Sequence, residues 1–182
     1  MTKYAVDYKL SVPMGGVRLT GGRFGRAFEN NLSFLKGFDP DRMLYWFRTH
    51  AGRPAPGVPY AAGDGHFENN LHGQTVGEFL MGAGTSLWWQ EDAELRAQVR
   101  ALISELTEYQ QPDGYLLPVD RETFKTKEYP NYTRAWLEFG LLDAGYAGEA
   151  EAFRLARGMG DHFNRSDVLP YVNVLNLGFQ GI

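Results

Sequence analysis

From residue 24 onward, apolar side chains recur at the three- and four-residue spacing of amphipathic helices. The clearest segment follows Asp92, a preferred N-cap residue type, and its apolar stripe is formed by Leu95, Val99, Leu102, Ile103 and Leu106. The same spacing predicts helices over 24–36, 40–51, 70–89, 132–144 and 148–163. Asp39 and Pro40 form a helix start, and Gly37 and Gly52 are helix stops. These patterns predict an all-α fold.

The predicted helices come in pairs, because short and long connections alternate along the chain. The long connections cover 53–69, which holds three Pro and three Gly, and 112–130. This order is typical of a helical hairpin array or an (α/α)6 toroid. We therefore predict a partial (α/α)6 toroid of helical hairpins. A short extended or β arm over 1–23 precedes it, because Val6, Tyr8 and Leu10 alternate with polar residues.

Six predicted helices make three hairpins, about half of a closed toroid of six. The tail from 166 to 182 is almost free of charge and ends on apolar residues. We therefore expect 24–182 to be the N-terminal half of a barrel catalytic domain in a longer protein. No repeat of fixed period is visible, which disfavours a regular solenoid.

Charge and residue counts exclude several classes of function. The net charge is −4 and the chain has no Cys, which argues against a phosphate-backbone binder and excludes disulfides and Cys-type zinc sites. No run of 18 apolar residues is present, and the first ten residues lack the apolar core of a secretory signal. We expect a cytoplasmic protein without nucleic-acid or membrane partners, and homo-oligomerisation stays open. Aromatic residues are 14% of the chain, which suits sugar stacking and tight helix packing equally.

The predicted helix over 70–89 contains four glycines, at positions 73, 77, 82 and 84. Each costs about 1 kcal/mol relative to Ala inside a helix. Such a cost indicates that another helix or a ligand approaches the backbone closely at these positions.

The strongest candidate for a binding site lies at the start of that helix. Gln74 and Glu78 are four residues apart and therefore share one helix face, and His72 falls in the predicted first turn. A carboxylate beside an amide can bind vicinal hydroxyl groups through paired hydrogen bonds. The alternative is that these three residues form a solvated polar face.

Four further residues are candidates for lining a sugar site. His66 lies in the Gly-rich connection beside Asp64 and Glu68, at a spacing that matches no metal motif. Asp113 belongs to a Pro-Asp-Gly turn, and Tyr132 and Trp136 are four residues apart and could stack on a sugar or pack in the core. Two other patterns have structural interpretations: Arg134 and Glu138 as a surface ion pair, and His50 and His162 as cations at helix ends.

Five segments in order along the chain carry a resemblance to a known family. They are GRAFENN at 25–31, FDPDRMLYWFR at 38–48, LHGQTVGEFL at 71–80, YQQPDGYL at 109–116 and GLLDA at 140–144. Together they resemble the opening of the β-L-arabinofuranosidase family, glycoside hydrolase family 127 and its relatives. The resemblance covers about 24–182.

The resemblance implies an (α/α)6 barrel followed by β-rich domains, and hydrolysis of β-L-arabinofuranosides with retention. It also implies a zinc-bound Cys as nucleophile and a Glu as acid/base, both downstream of the matching region. The catalytic residues are therefore expected outside this chain, and zinc would belong to the full-length family member.

Two departures from the family pattern bear on the substrate. The family often has Gly-His-x-x-Gly-His-Tyr, and here the two His positions hold Gln74 and Glu78. A His-Lys pair is common ahead of the family's Gly-Leu-Leu-Asp, and here Ala135 and Trp136 stand at that spacing. The sugar pocket is therefore expected to differ from that of other family members.

Two other classes of function stay open at this point. One is a non-catalytic helical protein that binds carbohydrate or acts as a scaffold. The other is a different toroid enzyme such as a polysaccharide lyase. Tyr132 and Arg134 are two residues apart and do not share a helix face, which counts against the lyase.

Overall fold

The computed structural model describes residues 17–60, 71–126 and 129–165, with side chains for all of these except 124–126, 129 and 130. Its helices are α1 (Gly22–Lys36), α2 (Pro40–Met43), α3 (Tyr45–His50), α4 (Gln74–Trp89), α5 (Ala93–Tyr109), α6 (Arg121–Thr126), α7 (Tyr129–Tyr146) and α8 (Ala150–Phe163). The described ranges contain no strand, which confirms the all-α prediction. None of their helices is long and apolar enough to cross a membrane.

The capping signals read from the sequence act as predicted. The Asp39 side chain accepts a hydrogen bond from the backbone N–H of Asp41, and the Asp92 side chain accepts one from Leu95. The helix predicted after Pro40 is interrupted at Leu44, whose φ of −86° and ψ of 0° separate α2 from α3. Hydrogen bonds from Leu44 to Pro40 and from Arg48 to Leu44 continue across the break.

Several predicted boundaries shift in the structure. Helix α1 begins at Gly22, inside the predicted arm, and α6 lies within the predicted connection 112–130. Residues 17–20 form no helix or strand, and neither do 53–60. The rest of the arm, the rest of the 53–69 connection and the tail from 166 lie outside the described residues.

Helices α4 and α7 are parallel and meet through their glycines. A Cβ on Gly77 would lie 2.5 Å from the backbone of Trp136, and one on Gly84 would lie 2.6 Å from the backbone of Asp143. The step from Gly77 to Gly84 on α4 and the step from Trp136 to Asp143 on α7 are both seven residues long. The two helices therefore run in the same direction. Gly140 completes the contact against the backbone of Gly77. The predicted reason for the glycines, close approach of another helix, is confirmed at positions 77 and 84.

Each of these parallel helices forms an antiparallel hairpin with the helix that follows it. Phe47 contacts both Gly73 at the start of α4 and Tyr109 at the end of α5, so these two ends lie together. Phe153 near the start of α8 packs on Gly145 near the end of α7. The predicted stripe of α5, from Leu95 to Leu106, is buried in the hydrophobic core. Two hairpins whose first helices are parallel form the repeating unit of an α/α array, and closure into a toroid stays a prediction.

Candidate functional site

The first turn of α4 lies beside the second turn of α7 at one end of the fold. The register of the glycine contacts places Gln74 at the level of Thr133, about one turn before Gly77 and Trp136. Because α5 and α8 run in the opposite direction, their last residues, Tyr109 and Phe163, lie at this same end. The predicted site residues that the structure describes therefore lie at this one end of the helices.

Gln74 and Glu78 are joined by a hydrogen bond. The Gln74 Nε2 atom donates to Glu78 Oε1 at 2.6 Å, and the other Glu78 oxygen has no hydrogen bond within the described part of the chain. Gln74 is buried and its Oε1 atom lacks a partner, whereas Glu78 is exposed. The pair therefore presents a carboxylate to solvent and fixes one of its oxygens through a buried amide. The alternative interpretation, a solvated polar face, does not require Gln74 to be buried.

The sequence analysis placed His72 in the first turn of this helix, but the structure places it before the helix begins. Gly73 is the N-cap with a φ of +90°, and the helix begins after it at Gln74. A side chain at position 73 would be strained by this left-handed backbone and would meet Phe47 and Pro118 at 3.1 Å. The His72 ring stacks on Trp46, with ring centroids 3.5 Å apart and planes 10° apart.

Tyr132 and Trp136 are both half-buried on α7 and do not form a flat platform. Their ring centroids are 6.0 Å apart and their planes meet at 66°, so one flat sugar face can stack on only one of them. The backbone of Trp136 packs on Gly77, the residue before Glu78. This contact places the Trp136 turn of α7 against the first turn of α4, in which Gly77 lies.

The sequence did not single out Asp143 or Thr85 as site residues, and the structure brings together the exposed Thr85 and the half-buried Asp143. Thr85 lies seven residues after Glu78, and Asp143 lies seven residues after Trp136. Burial raises the pKa of Asp143, and a hydrogen bond from the Thr85 side chain opposes the rise. The seven-residue spacing was visible in the sequence, but the register between α4 and α7 was not.

Arg134 and Glu138 do not form the predicted surface pair. The Arg134 side chain is only 7% exposed, its guanidinium lies 4.9 Å from the Phe163 ring centroid, and its Nη1 donates to Glu138. Burial raises the pKa of Glu138, and the Arg134 charge opposes the rise. The i,i+4 spacing was correct, but Phe163 comes from α8 and covers the pair.

Buried polar atoms without partners concentrate at the start of α7. They belong to side chains that are at most 6% exposed, namely the Asn131 Oδ1, Thr133 Oγ1 and Arg134 Nε atoms. Buried polar groups are nearly always hydrogen-bonded in native proteins. Three such atoms therefore lie close together at this end of α7.

The Asp113 carboxylate is held by cations. Arg121 donates to both of its carboxylate oxygens, at 2.7 and 2.8 Å, and Arg165 lies 3.4 Å away. The Arg121 hydrogen bonds are the main reason that the pKa of Asp113 falls well below its usual range. His162 Nδ1 lies 3.2 Å from Asp113 Oδ2. Burial lowers the pKa of His162, so this residue is not the helix-end cation that its position suggested.

The described residues do not fit the zinc centre that the family resemblance implies. They contain no group of three or more His, Cys, Asp or Glu side chains arranged to hold a metal ion, and the chain has no Cys. His66 lies outside the described residues.

One comparison with known proteins identifies the family. The family model described as β-L-arabinofuranosidase, GH127 catalytic domain, matches residues 16–174, which include every described helix. No curated protein and no solved structure matches the chain at a significant level. The chain belongs to the β-L-arabinofuranosidase GH127 catalytic-domain family.

Proposed function

We propose that this chain is the sugar-binding N-terminal portion of a glycoside hydrolase that acts on β-L-arabinofuranosides or related neutral sugars. The family match supports a glycoside hydrolase-like portion. The nucleophile and the acid/base would lie beyond these residues, because the chain lacks the Cys that the family chemistry uses.

The observation that carries the proposal is the pairing of Gln74 and Glu78 beside the Trp136 turn of α7. The Gln74 amide fixes one carboxylate oxygen of Glu78 and leaves the other available to sugar hydroxyls. A carboxylate oxygen can bind sugar hydroxyls, and an aromatic ring on the neighbouring helix can cover an apolar face of the same sugar.

The substrate would be neutral rather than acidic. Glu78 is exposed and Asp143 is half-buried, while Arg134 is buried against Phe163 and paired with Glu138. A uronic acid would meet carboxylates there without a free guanidinium to bind it. This distribution of charge also weighs against a polysaccharide lyase.

Binding of L-arabinose and of a β-L-arabinofuranosyl disaccharide to the chain, followed by isothermal titration and by NMR, tests the proposal. Glu78→Gln should weaken both ligands about tenfold or more, because a charged acceptor becomes neutral. Glu29→Gln is the matched control, since Glu29 is an exposed glutamate on α1. Equal affinities of both variants and the unaltered chain would remove Glu78 from the site.

A second assay separates the hydrolase portion from a complete enzyme. The chain of 182 residues should bind sugar without hydrolysing an aryl β-L-arabinofuranoside, because the catalytic residues are expected elsewhere. Measurable turnover that is lost on Glu78→Gln would overturn this part of the proposal.

A further inference from the structure

An apolar cavity lies at the C-terminal end of α4, whereas the candidate site lies at its start. The cavity has a volume of about 240 Å³ and is lined by Val17, Leu19, Phe28, Trp89 and Gln90. The first three residues belong to α1 and the segment before it, and the last two lie at the end of α4. Because α1 packs on α4, the cavity has one wall from each of these two parts of the chain.

The apolar side chains of this region are exposed. Phe24, which lies one helical turn before Phe28 on α1, is 72% exposed, and Trp89 is 39% exposed. At about 150–250 Å² for a whole aromatic side chain, these two alone expose roughly 200 Å². Val17 and Leu19 are also exposed and enlarge the patch. A stable interface buries about 800 Å² per partner, a little over half of it apolar, so the patch supplies much of the apolar area that one interface needs.

The two sides of the cavity differ in charge. Residues 17–31 contain three arginines against one glutamate, and the arginines, Arg18, Arg23 and Arg26, are all exposed. The α4 side continues into residues 91–94, whose three carboxylates are paired with Lys36 and Arg96. The α1 side therefore has an excess of positive charge, and the α4 side has an excess of negative charge.

Such a surface is complementary to itself. If a two-fold axis passes through the cavity, the α1 side of one copy faces the α4 side of the other, and opposite charges meet on both sides of the axis. An anionic membrane or an acidic peptide would be attracted by one side and repelled by the other, so the charges favour a second copy. A cavity of about 150 Å³ can hold benzene, so this larger cavity has room for the phenyl ring of Phe24 from that copy.

From these observations we infer that the cavity and Phe24 form a self-association surface, in which Phe24 of each copy enters the cavity of a second copy of this chain. Both copies use the same surface, so the assembly closes as a dimer. Trp89 lies eleven residues after Glu78, about 16 Å along α4. Dimer formation is therefore separate from sugar binding at Glu78 and does not rest on the proposed function.

Sedimentation velocity of the 182-residue chain over a range of concentrations tests the inference by giving a dissociation constant for the dimer. Phe24→Ser should raise this constant about tenfold or more, because aromatic residues that fill a pocket are typical hot spots of interfaces. Phe34→Ser is the matched control and should leave the constant unchanged. Phe34 is 66% exposed on the same helix but lies ten residues after Phe24, about 15 Å away along α1.

A charge reversal tests the orientation of the two copies. Arg23→Glu places a negative charge opposite the acidic segment 91–94 of the second copy, so it should weaken the dimer at low salt and less at high salt. Circular dichroism should show the same helix content for all three variants, since each replaced side chain is exposed.

Three results would overturn the inference. The first is a chain that stays monomeric at every concentration. The second is a dimer with the same dissociation constant for Phe24→Ser and the unaltered chain, because the copies would then associate through another surface. The third is a monomer that binds vesicles of phosphatidylserine and phosphatidylcholine and loses this binding on Phe24→Ser, which would assign the patch to a membrane surface.

Discussion

Replacing Gly77 by Ala tests the parallel contact of α4 and α7, which holds the candidate site together. The added Cβ would lie 2.5 Å from the backbone C and O atoms of Trp136 and 2.6 Å from the backbone N of Leu137. Ordinary contacts begin near 3.4 Å, so the two helices would have to separate by about 0.9 Å. No side-chain rotation can relieve the overlap, because all three atoms belong to the backbone of a helix.

The expected cost of this substitution exceeds its local benefit. Alanine gains about 1 kcal/mol over glycine in a helix interior, whereas overpacking costs about 1–3 kcal/mol and more against rigid neighbours. Separating α4 from α7 also loosens the dispersion contacts along both helices. We expect Gly77→Ala to lower the free energy of unfolding by about 2–3 kcal/mol, a fall in Tm of about 4–12 °C for a chain of this size.

Thermal unfolding followed by circular dichroism gives the measurement, and Gly160→Ala is the control. Gly160 lies inside α8, and a Cβ there would meet no atom within 4 Å. This control should keep or raise the Tm, since only the helix-propensity term acts. If Gly77→Ala matched Gly160→Ala in Tm, the close parallel contact and the register drawn from it would be wrong.

Three further predictions concern the ends of the helices and the buried charges. Asp92→Ala removes the N-cap of α5 and should cost about 1 kcal/mol in urea unfolding; an unchanged midpoint would contradict the capping role. Arg134→Gln leaves Glu138 without its counter-charge and should lower the free energy of unfolding by about 3–5 kcal/mol at pH 8. The loss should be smaller at pH 5, because the pKa of Glu138 is already raised and protonation removes the buried charge. Adding Glu138→Gln should recover much of that loss at pH 8, and a double variant no more stable than Arg134→Gln would contradict the buried pair. Burial lowers the pKa of His72 from the ordinary 6.5 to about 4 in the folded chain, so the fold loses stability as the pH falls from 6.5 to 4. His72→Phe should therefore flatten the profile of urea midpoint against pH over this range. An equally steep profile in the variant would assign the loss to other groups.

The helices and their caps could be read from the sequence because the signals are local. Asp39 and Asp92 bond to backbone N–H groups two and three residues later, and the stripe of α5 depends only on helical spacing. The hydrogen bond between Gln74 and Glu78 is likewise set by the geometry of one helix. Family membership followed from the order of short motifs along the chain.

Other features were decided by contacts between residues far apart in the sequence. The sequence placed Arg134 and Glu138 four residues apart, but only the packing of Phe163 from α8 shows that they are buried. His72 was expected in the first turn of the helix, but the helix begins after Gly73 and His72 stacks on Trp46 of α3. Spacing within one helix is fixed by 3.6 residues per turn, whereas burial and ion pairing depend on which surface another helix covers. The sequence by itself therefore determined the helices, their caps and the Gln74–Glu78 pair, and the tertiary structure decided which charges are buried and which residues share the candidate site.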